Sequence, residues 1–410
     1  MPELWELAVE EIARRVRARE VSASEVLESC LARTARVEPL IAAYLEIFED
    51  EARERAAAID RRLAAGEDPG PLAGVPVALK DNLSLEGHAL TCASRILTGY
   101  VAPFTATAVE RLLAAGAVPV GRNNMDEFAM GSSCENSAYQ RTRNPWHLGT
   151  VPGGSSGGPA AAVAAGSVPL SFGSDTGGSI RQPAALCGVV GVKPTYGRVS
   201  RYGLVAFASS TDQIGPIARN VRDSALALEV IAGADPHDAT CATEPVGSYL
   251  AAIEQDIAGL KVGVIREIDP AALSAAAARN WRQSLHRLEA AGAELVEVSL
   301  PSLDAAIAVY YVIATSEASA NLARFDGVRY GRRATRADNA DNLIDLYFDS
   351  RSEGLGAEVK RRIMLGTFAG ARGQGRCPAG QGAPAWREFR RHRDDVERRP
   401  CRLIDHPGAR

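Results

Sequence analysis

Residues 152–181 read PGGSSGGPAAAVAAGSVPLSFGSDTGGSIR, and this stretch carries the strongest signals for both fold and chemistry. Ser155 lies in a glycine-rich loop before an alanine-rich run that starts with Pro159, which is typical of a helix start. The apolar run at residues 168–172 then predicts a short buried strand. A second glycine-rich loop follows, and we expect a helix to open near Ser179. The stretch therefore predicts two serine loops that bracket one helix and one strand.

The second loop places a serine beside backbone N–H groups that a helix start leaves unpaired. Its glycines permit backbone angles that let a substrate approach closely, and the helix dipole adds positive potential. The expected oxyanion donors are the amides of Thr176, Gly177 and Gly178, together with that of Ser179. One such donor is worth roughly 10²–10³ in rate. Ser155 is suited to relay a proton, because a hydroxyl donates once while it accepts once.

A buried strand is also predicted for residues 75–79, and it would deliver Lys80 to one edge of a sheet. An ordinary lysine is neutral in about one molecule in 2,500 at pH 7. A lysine that works as a base must therefore be desolvated until its pKa falls to about 7–8. The alternatives are a surface lysine paired with Asp81 and serines that serve as turn or cap residues. The combination of two serine loops with an upstream strand-end lysine favours an acyl-transfer site.

Together these residues resemble the amidase signature family, whose pattern is a Ser-cisSer-Lys triad. The resemblance implies that Ser179 is the nucleophile, Ser155 the bridging serine and Lys80 the general base. Longer strings resemble the branch of the family that supplies ammonia for the amidation of aminoacyl-tRNA. These strings are residues 123–136, 142–146, 192–205, 210–216, 317–331 and 351–354. The likeness extends from the N-terminal helices to about Phe368.

The resemblance implies a glutaminase, which releases ammonia through an acyl-enzyme and passes it to a partner B subunit. That partner would use ATP and Mg²⁺ to convert Glu-tRNA(Gln) to Gln-tRNA(Gln), would bind most of the tRNA, and would form a heterotrimer with this chain and a C subunit. No cofactor is expected on this chain itself. In the family a tyrosine and an arginine hold the glutamine, and the nearest matches are Tyr310 (or Tyr311) and Arg361 (or Arg362).

The composition excludes several other classes of protein. A net charge of -4 over 410 residues gives no electrostatic case for direct tRNA binding. The seven cysteines show no metal-binding spacing, and Cys187 is expected to be a small buried apolar residue. Neither serine loop has the spacing of a phosphate loop. Because we find no signal peptide and no run that could span a membrane, we expect a cytoplasmic protein.

We expect an α/β fold with a mixed central sheet sandwiched by helices. Residues 1–65 are expected to be a helical segment, with Ser22 or Ser24 as an N-cap, and residues 66–368 the amidase signature domain. Residues 369–410 are rich in arginine, glycine and proline and lack apolar periodicity, so we expect a disordered tail. The hypothesis is that this tail is foreign to the family, as after a frameshift, and that the domain is incomplete at its C-terminal end.

Two alternatives to the glutaminase stay open. The chain could be a free-standing amidase of the same family that acts on another amide. It could also be a truncated, inactive gene product that at most binds its partners, because in the family the segment after about residue 368 carries an aspartate that grips the glutamine amino group.

Overall fold

A computed structural model describes residues 3–334 and 342–373. The α-helices are α1 Val9–Arg17, α2 Ala23–Ile41, α3 Glu49–Ala64, α4 Thr107–Ala114, α5 Gly157–Ala164, α6 Arg181–Cys187, α7 Val221–Ile231, α8 Tyr249–Ile253, α9 Ala275–Ala290, α10 Ala306–Asn321, α11 Leu343–Gly354 and α12 Ala357–Gly373. The strands are β1 Tyr44–Ile47, β2 Pro76–Lys80, β3 Val118–Asn123, β4 Leu170–Asp175, β5 Val190–Gly191, β6 Gln213–Ala218, β7 Lys261–Ile265 and β8 Glu294–Val298. The helix and the strand predicted between the serine loops are α5 and β4.

Strands β1 to β6 form one mixed sheet in the order β1-β3-β2-β4-β6-β5. Strand β2 lies between β3 and β4 and runs parallel to both, whereas β1, β5 and β6 pair in the antiparallel direction. Adjacent parallel strands end at the same edge of a sheet. The last residues of β2 and β4 therefore lie close together, and the loop after β4 begins beside Lys80.

The central strands have no exposed face. Every residue of β2, β4 and β6 is buried, which is the pattern of strands covered on both faces. Helix α5 is apolar all round and buried from Gly157 to Val163, as expected for a helix inside a large core. The prediction of a mixed sheet between helical layers is confirmed.

The N-terminal segment differs from its prediction at one place. Ser22 is the N-cap of α2, where its hydroxyl accepts from the Glu25 amide and the Glu25 carboxylate accepts from the Ser22 amide. Residues 1–65 are nevertheless not entirely helical, because β1 pairs with β3 as an edge strand of the main sheet. Its four residues are too few to show the alternation that identifies a strand in a sequence.

The chain divides into two compact units. The first contains the residues up to Tyr249 together with Glu317–Leu365, and it includes the six-stranded sheet. Of the described residues, the second contains Leu250–Ser316 and residues 366–373, with the parallel pair β7 and β8. Of the predicted tail, residues 369–373 belong to α12, and residues 374–410 lie outside the described residues. The predicted foreign tail therefore stays a prediction.

Candidate active site

Lys80 ends β2, and its side chain is fully enclosed. Its Nζ donates to Ser155 Oγ at 2.7 Å, Ser156 Oγ at 2.9 Å, Ser174 Oγ at 2.9 Å and the Ser174 carbonyl at 3.2 Å. All four partners are neutral oxygen atoms. Within residues 3–334 and 342–373, no carboxylate forms an ion pair with this amine. A buried lysine without a counter-ion pays the full desolvation of its charged form.

Burial lowers the pKa of Lys80 from 10.5 to about 8. Four acidic groups at longer range oppose this fall, namely Asp126, Cys134, Asp175 and Asp212. At pH 7 roughly one molecule in ten then holds the neutral amine, compared with about one in several thousand for an ordinary lysine. The environment thus provides the desolvated amine that a base near neutral pH requires.

Asp81 is not the partner of Lys80. Its carboxylate is fully buried and accepts hydrogen bonds from the Arg122 guanidinium, the Thr91 hydroxyl and amide, and the Ala93 amide. Arg122 on β3 is the cation that pairs with it. The alternative of an exposed Lys80–Asp81 pair is therefore wrong, because successive residues of an extended chain project to opposite sides.

The two serine loops are tied together through their backbones. The peptide bond between Gly154 and Ser155 is cis, and the Ser156 amide donates to the Ser179 carbonyl at 3.0 Å. Gly154 has to be glycine, because a Cβ there would overlap the Asp126 carboxylate. Ser155 is fully buried, whereas Ser179 keeps 9% of its surface exposed. The fold therefore brings both predicted serines to the end of β2.

The predicted proton relay has two steps, and one of them, between Ser155 and Lys80, has a hydrogen bond in the structure. Lys80 is bonded to Ser155, and among the described residues no hydrogen bond joins Ser155 Oγ to Ser179 Oγ. The step from Ser179 to Ser155 stays a prediction.

Asp175 organises the second serine loop. Its carboxylate accepts from the amides of Gly178 at 2.7 Å, Ile180 at 3.1 Å and Arg181 at 3.3 Å. The Arg181 guanidinium also donates to it, at 2.9 and 3.0 Å. These bonds fix the loop at the end of β4, and they engage one of the four predicted oxyanion donors, the Gly178 amide.

Other donors of this loop remain available. In the part of the chain that the structure describes, the amides of Gly177 and Ser179 donate to no protein group. Thr176 is held by its hydroxyl, which donates to Asp212 Oδ1 at 2.6 Å. The Thr176 amide likewise donates to no protein group among the described residues, so a developing negative charge beside Ser179 would meet three available amides, those of Thr176, Gly177 and Ser179.

Three site residues were missed in the sequence. Ser156 and Ser174 both bond to the Lys80 amine, and the Ser156 hydroxyl also donates to the Ser174 carbonyl at 3.1 Å. Asn82 donates from Nδ2 to Ser174 Oγ at 2.9 Å. The available signal was position: Ser156 follows Ser155 directly, and Asn82 follows the lysine by two residues.

The two arginine candidates occupy different environments. Arg361 exposes 62% of its side chain and pairs with Glu358. Arg362 is 4% exposed and donates to Glu358 and to the Gly131 carbonyl, each at 2.7 Å. Gly131 packs against the serine loop, since a Cβ on it would lie 3.1 Å from the Ser155 nitrogen. Arg362, rather than Arg361, therefore reaches the surroundings of the serines.

The remaining predicted residues are two tyrosines and a cysteine. Tyr310 and Tyr311 lie on α10 in the second unit, with ring centroids 5.4 Å apart, and their role stays a prediction. Cys187 is fully buried, and burial raises the pKa of its thiol to about 12. No group of three or more metal-ligating side chains occurs among the described residues. None of the described helices is long and apolar enough to cross a membrane.

Known proteins share this arrangement of sequence and fold. The family model described as Amidase matches residues 25–381. The A subunit of glutamyl-tRNA(Gln) amidotransferase from Geobacillus thermodenitrificans is 57% identical over 370 residues, which cover 89% of this chain and 75% of that protein. The corresponding protein of Carboxydothermus hydrogenoformans is 54% identical over 367 residues, covering 90% and 75%.

Solved structures agree with these relatives. The crystal structure of the glutamyl-tRNA(Gln) amidotransferase A subunit from Thermotoga maritima has a TM-score of 0.76 and 39% identity, and the match covers 97% of this chain and 78% of that one. Peptide amidase from Stenotrophomonas maltophilia has a TM-score of 0.77 and 32% identity, covering 96% and 79%. Because the family match spans most of the residues and these relatives share the fold, the chain belongs to the amidase family.

Proposed function

We propose that this chain is an enzyme, the glutamine-hydrolysing component of a Glu-tRNA(Gln) amidotransferase. The observation that carries the proposal is the fully buried Lys80 amine, which lies 2.7 Å from Ser155 Oγ and has no paired carboxylate within the described part of the chain. The neutral amine takes a proton from Ser155 as Ser155 takes one from Ser179, and Ser179 Oγ attacks the side-chain amide carbon of glutamine. The proton then returns through Ser155 to the leaving nitrogen, so that ammonia departs and a glutamyl ester remains on Ser179. Water hydrolyses that ester.

The oxyanion of each tetrahedral intermediate needs donors beside Ser179. We assign the amides of Thr176, Gly177 and Ser179 as these donors, because none of the three donates to a protein group in the described residues. The Gly178 amide would contribute only after leaving the Asp175 carboxylate, to which it now donates at 2.7 Å.

Glutamine carries a carboxylate and an ammonium group that the site has to hold. We assign the carboxylate to Arg362 in preference to Arg361, since Arg362 is the buried arginine beside the serine loop. A guanidinium binds a carboxylate through two parallel hydrogen bonds, which also fixes the orientation of the substrate. Tyr310 is the proposed tyrosine contact.

The ammonia would be used by a partner rather than by this chain. We propose a heterotrimer with B and C subunits, in which the B subunit binds ATP, Mg²⁺ and most of the tRNA. The names of the relatives as A subunits and the net charge of -4 support this division of labour. A reaction on aminoacyl-tRNA would take place in the cytoplasm.

The test is ammonia release from glutamine by the purified chain, with and without the B and C subunits. The proposal expects glutamine to exceed simple aliphatic and aryl amides in kcat/KM, with the largest rate in the complex. A preference for the simple amides that persists in the complex would favour a free-standing amidase, the alternative supported by the likeness to a peptide amidase.

A second measurement separates an active enzyme from an inactive gene product. The chain spans about 75% of the length of the curated relatives that it matches, so its activity has to be measured directly. An amide-mimicking inhibitor should label the parent chain covalently and should fail to label Ser179→Ala. A soluble, folded parent chain that is not labelled would leave at most a partner-binding role.

A further inference from the structure

More oxygen atoms lie within hydrogen-bond distance of the Lys80 amine than its neutral form can bond. Four oxygen atoms of Ser155, Ser156 and Ser174 lie within 3.2 Å of Nζ. A neutral amine has two N–H groups and one lone pair. The Ser174 carbonyl can only accept, and Ser156 Oγ has its own hydrogen committed to that carbonyl at 3.1 Å. The hydroxyls of Ser155 and Ser174 are therefore left to compete for the single lone pair.

The side chain of Asn82 controls the hydrogen of one competitor. Asn82 is 2% exposed, its Nδ2 lies 2.9 Å from Ser174 Oγ, and its Oδ1 has no partner among the described residues. A half-turn of the amide exchanges Oδ1 and Nδ2 without moving the rest of the side chain. When Nδ2 faces Ser174, the Ser174 hydrogen has only Nζ as an acceptor. When Oδ1 faces Ser174, that hydrogen binds to Asn82 instead.

We infer that Asn82 is a positioning residue, which turns Oδ1 toward Ser174, draws the Ser174 hydrogen away from Lys80 and so leaves the lone pair of the amine for Ser155. One N–H of the amine then serves Ser156, and the other is shared by the two oxygen atoms of Ser174. The inference rests on the proposed serine–serine–lysine chemistry. Asn82 acts through Ser174 and contacts neither serine of the proposed relay.

Removing Asn82 leaves the charges around the amine in place. The acidic groups that act on Lys80 are Asp126, Cys134, Asp175 and Asp212. None of them forms a hydrogen bond to Asn82 or to the Ser174 hydroxyl in the described residues. A change in the titration of Lys80 after replacing Asn82 therefore reports on the Ser174 hydrogen.

Steady-state kinetics with glutamine supply the first test. Asn82→Ala should lower kcat about tenfold or more and leave KM within about twofold, since general-base catalysis contributes roughly 10²–10⁴. Ser174→Ala removes the competing hydrogen together with the bond to Asn82, so it should cost less than Asn82→Ala although Ser174 touches the amine. The double variant should match Ser174→Ala. A larger loss in Ser174→Ala, or additive losses in the double variant, would overturn the inference.

Asn123→Ala is the matched control. Asn123 is also fully buried with an unpartnered Oδ1, but its Nδ2 donates to the Ala43 carbonyl at 3.2 Å. Its replacement should leave kcat and the titration of Lys80 unchanged. A loss equal to that of Asn82→Ala would assign both effects to general loosening of the core.

The second test reads the amine directly and does not require activity. The chain contains only four lysines, at positions 80, 193, 261 and 360, so ¹⁵N-lysine labelling gives a spectrum that Lys→Arg variants can assign. In Asn82→Ala the Ser174 hydroxyl stabilises the neutral amine, and Lys80 should titrate about half a pH unit or more below the wild type. A purely structural role would admit water and move the titration upward. An unchanged or raised titration, or a shift that persists when Ser174 is also alanine, would overturn the inference.

The two proposals fail in different ways. A wild-type chain that releases no ammonia contradicts the proposed function, whereas the lysine titration still decides the role of Asn82. If Asn82→Ala does not fold, Asn82→Leu fills a similar volume without an acceptor and should show the same downward shift.

Discussion

Lys80 and Asp81 are successive residues, both fully buried, and they differ in whether a counter-ion accompanies the charge. Asp81 is paired with Arg122 and receives further hydrogen bonds from Thr91 and Ala93. Among the described residues, the Lys80 amine forms hydrogen bonds only to hydroxyl groups and a carbonyl, and burial lowers its pKa to about 8. Removing one member of a buried ion pair destabilises a fold, whereas a buried amine without a counter-ion loses its proton more readily than an ordinary lysine.

The position of β2 in the sheet produces this contrast. Its neighbour β3 carries Arg122, and its other neighbour β4 carries Ser174. The end of β2 therefore has the Arg122 guanidinium on one side, and on the other the Ser174 hydroxyl and carbonyl that bond to the Lys80 amine. The structural ion pair and the proposed base are separated by a single peptide unit.

The largest expected effect comes from removing the amine. Lys80→Ala should lower the acylation rate roughly 10²–10⁴-fold at neutral pH, the usual contribution of general-base catalysis, and the loss should shrink as the pH rises. Burst kinetics or inhibitor labelling measures this rate. Lys193→Ala is the control, because burial also lowers the pKa of Lys193, while in the described residues its Nζ donates to the Pro194 carbonyl and to no serine. Full activity in Lys80→Ala would remove the base assignment.

Breaking the paired charge should affect stability instead. Asp81→Asn leaves Arg122 with Glu46 at 3.1 Å as its remaining carboxylate partner, and we expect a loss of about 3 kcal/mol in the free energy of unfolding. Urea denaturation measures it. Inhibitor labelling per folded molecule should change much less than in Lys80→Ala. Equal losses of labelling in Asp81→Asn and Lys80→Ala would contradict the assignment of a structural role to Asp81 and a chemical role to Lys80.

Lys80, the buried charge without a counter-ion among the described residues, should lower the free energy of unfolding at neutral pH. Because the pKa of Lys80 falls from 10.5 to about 8 on folding, the unfolded chain binds the proton more tightly. The unfolding free energy of the wild type should therefore rise between about pH 8 and 10.5, by up to about 3 kcal/mol, and stay at the lower level below pH 8. Lys80→Met should lack this rise and be more stable than the wild type at pH 7. A wild-type curve that is flat across the same window would contradict the depressed pKa.

The smallest expected effect extends the comparison to Arg361 and Arg362. Arg361→Ala removes an exposed pair with Glu358 and should leave KM for glutamine within about threefold, as exposed pairs contribute about 0–1 kcal/mol. Arg362→Ala should raise KM about tenfold or more, because it removes the buried guanidinium beside the serine loop. A larger rise in KM for Arg361→Ala than for Arg362→Ala would assign the substrate carboxylate to Arg361 instead.

Much of the local structure was predictable because its signals are local. The apolar run before Lys80, the alanine-rich run after Ser155 and the apolar run before the second loop became β2, α5 and β4. The N-cap was predicted at Ser22 or Ser24, and the structure shows that it is Ser22. Strand β1 was not, since four residues at a sheet edge carry too little pattern and take their conformation from β3.

The partners of the site residues could not be predicted in the same way. The bonds from Lys80 to Ser155 and Ser174 join residues 75 and 94 positions apart, and the pair of Asp81 with Arg122 spans 41. The engagement of the Gly178 amide by Asp175 depends on the fold of one loop. The burial of Arg362 beside an exposed Arg361 depends on which face α12 presents to the Gly131 carbonyl.

The amino-acid sequence by itself determined the family, the two serine loops and the strand-end lysine, because glycine spacing and apolar runs are properties of neighbouring residues. Only the tertiary structure decided that Lys80 has no counter-ion among the described residues and that Asp81 forms an ion pair with Arg122. It also decided that Ser174 bonds to the Lys80 amine and that Asn82 bonds to Ser174. The reason is physical: the pKa of a buried group is set by the dielectric and the dipoles around it, and those are brought together by packing across the sheet.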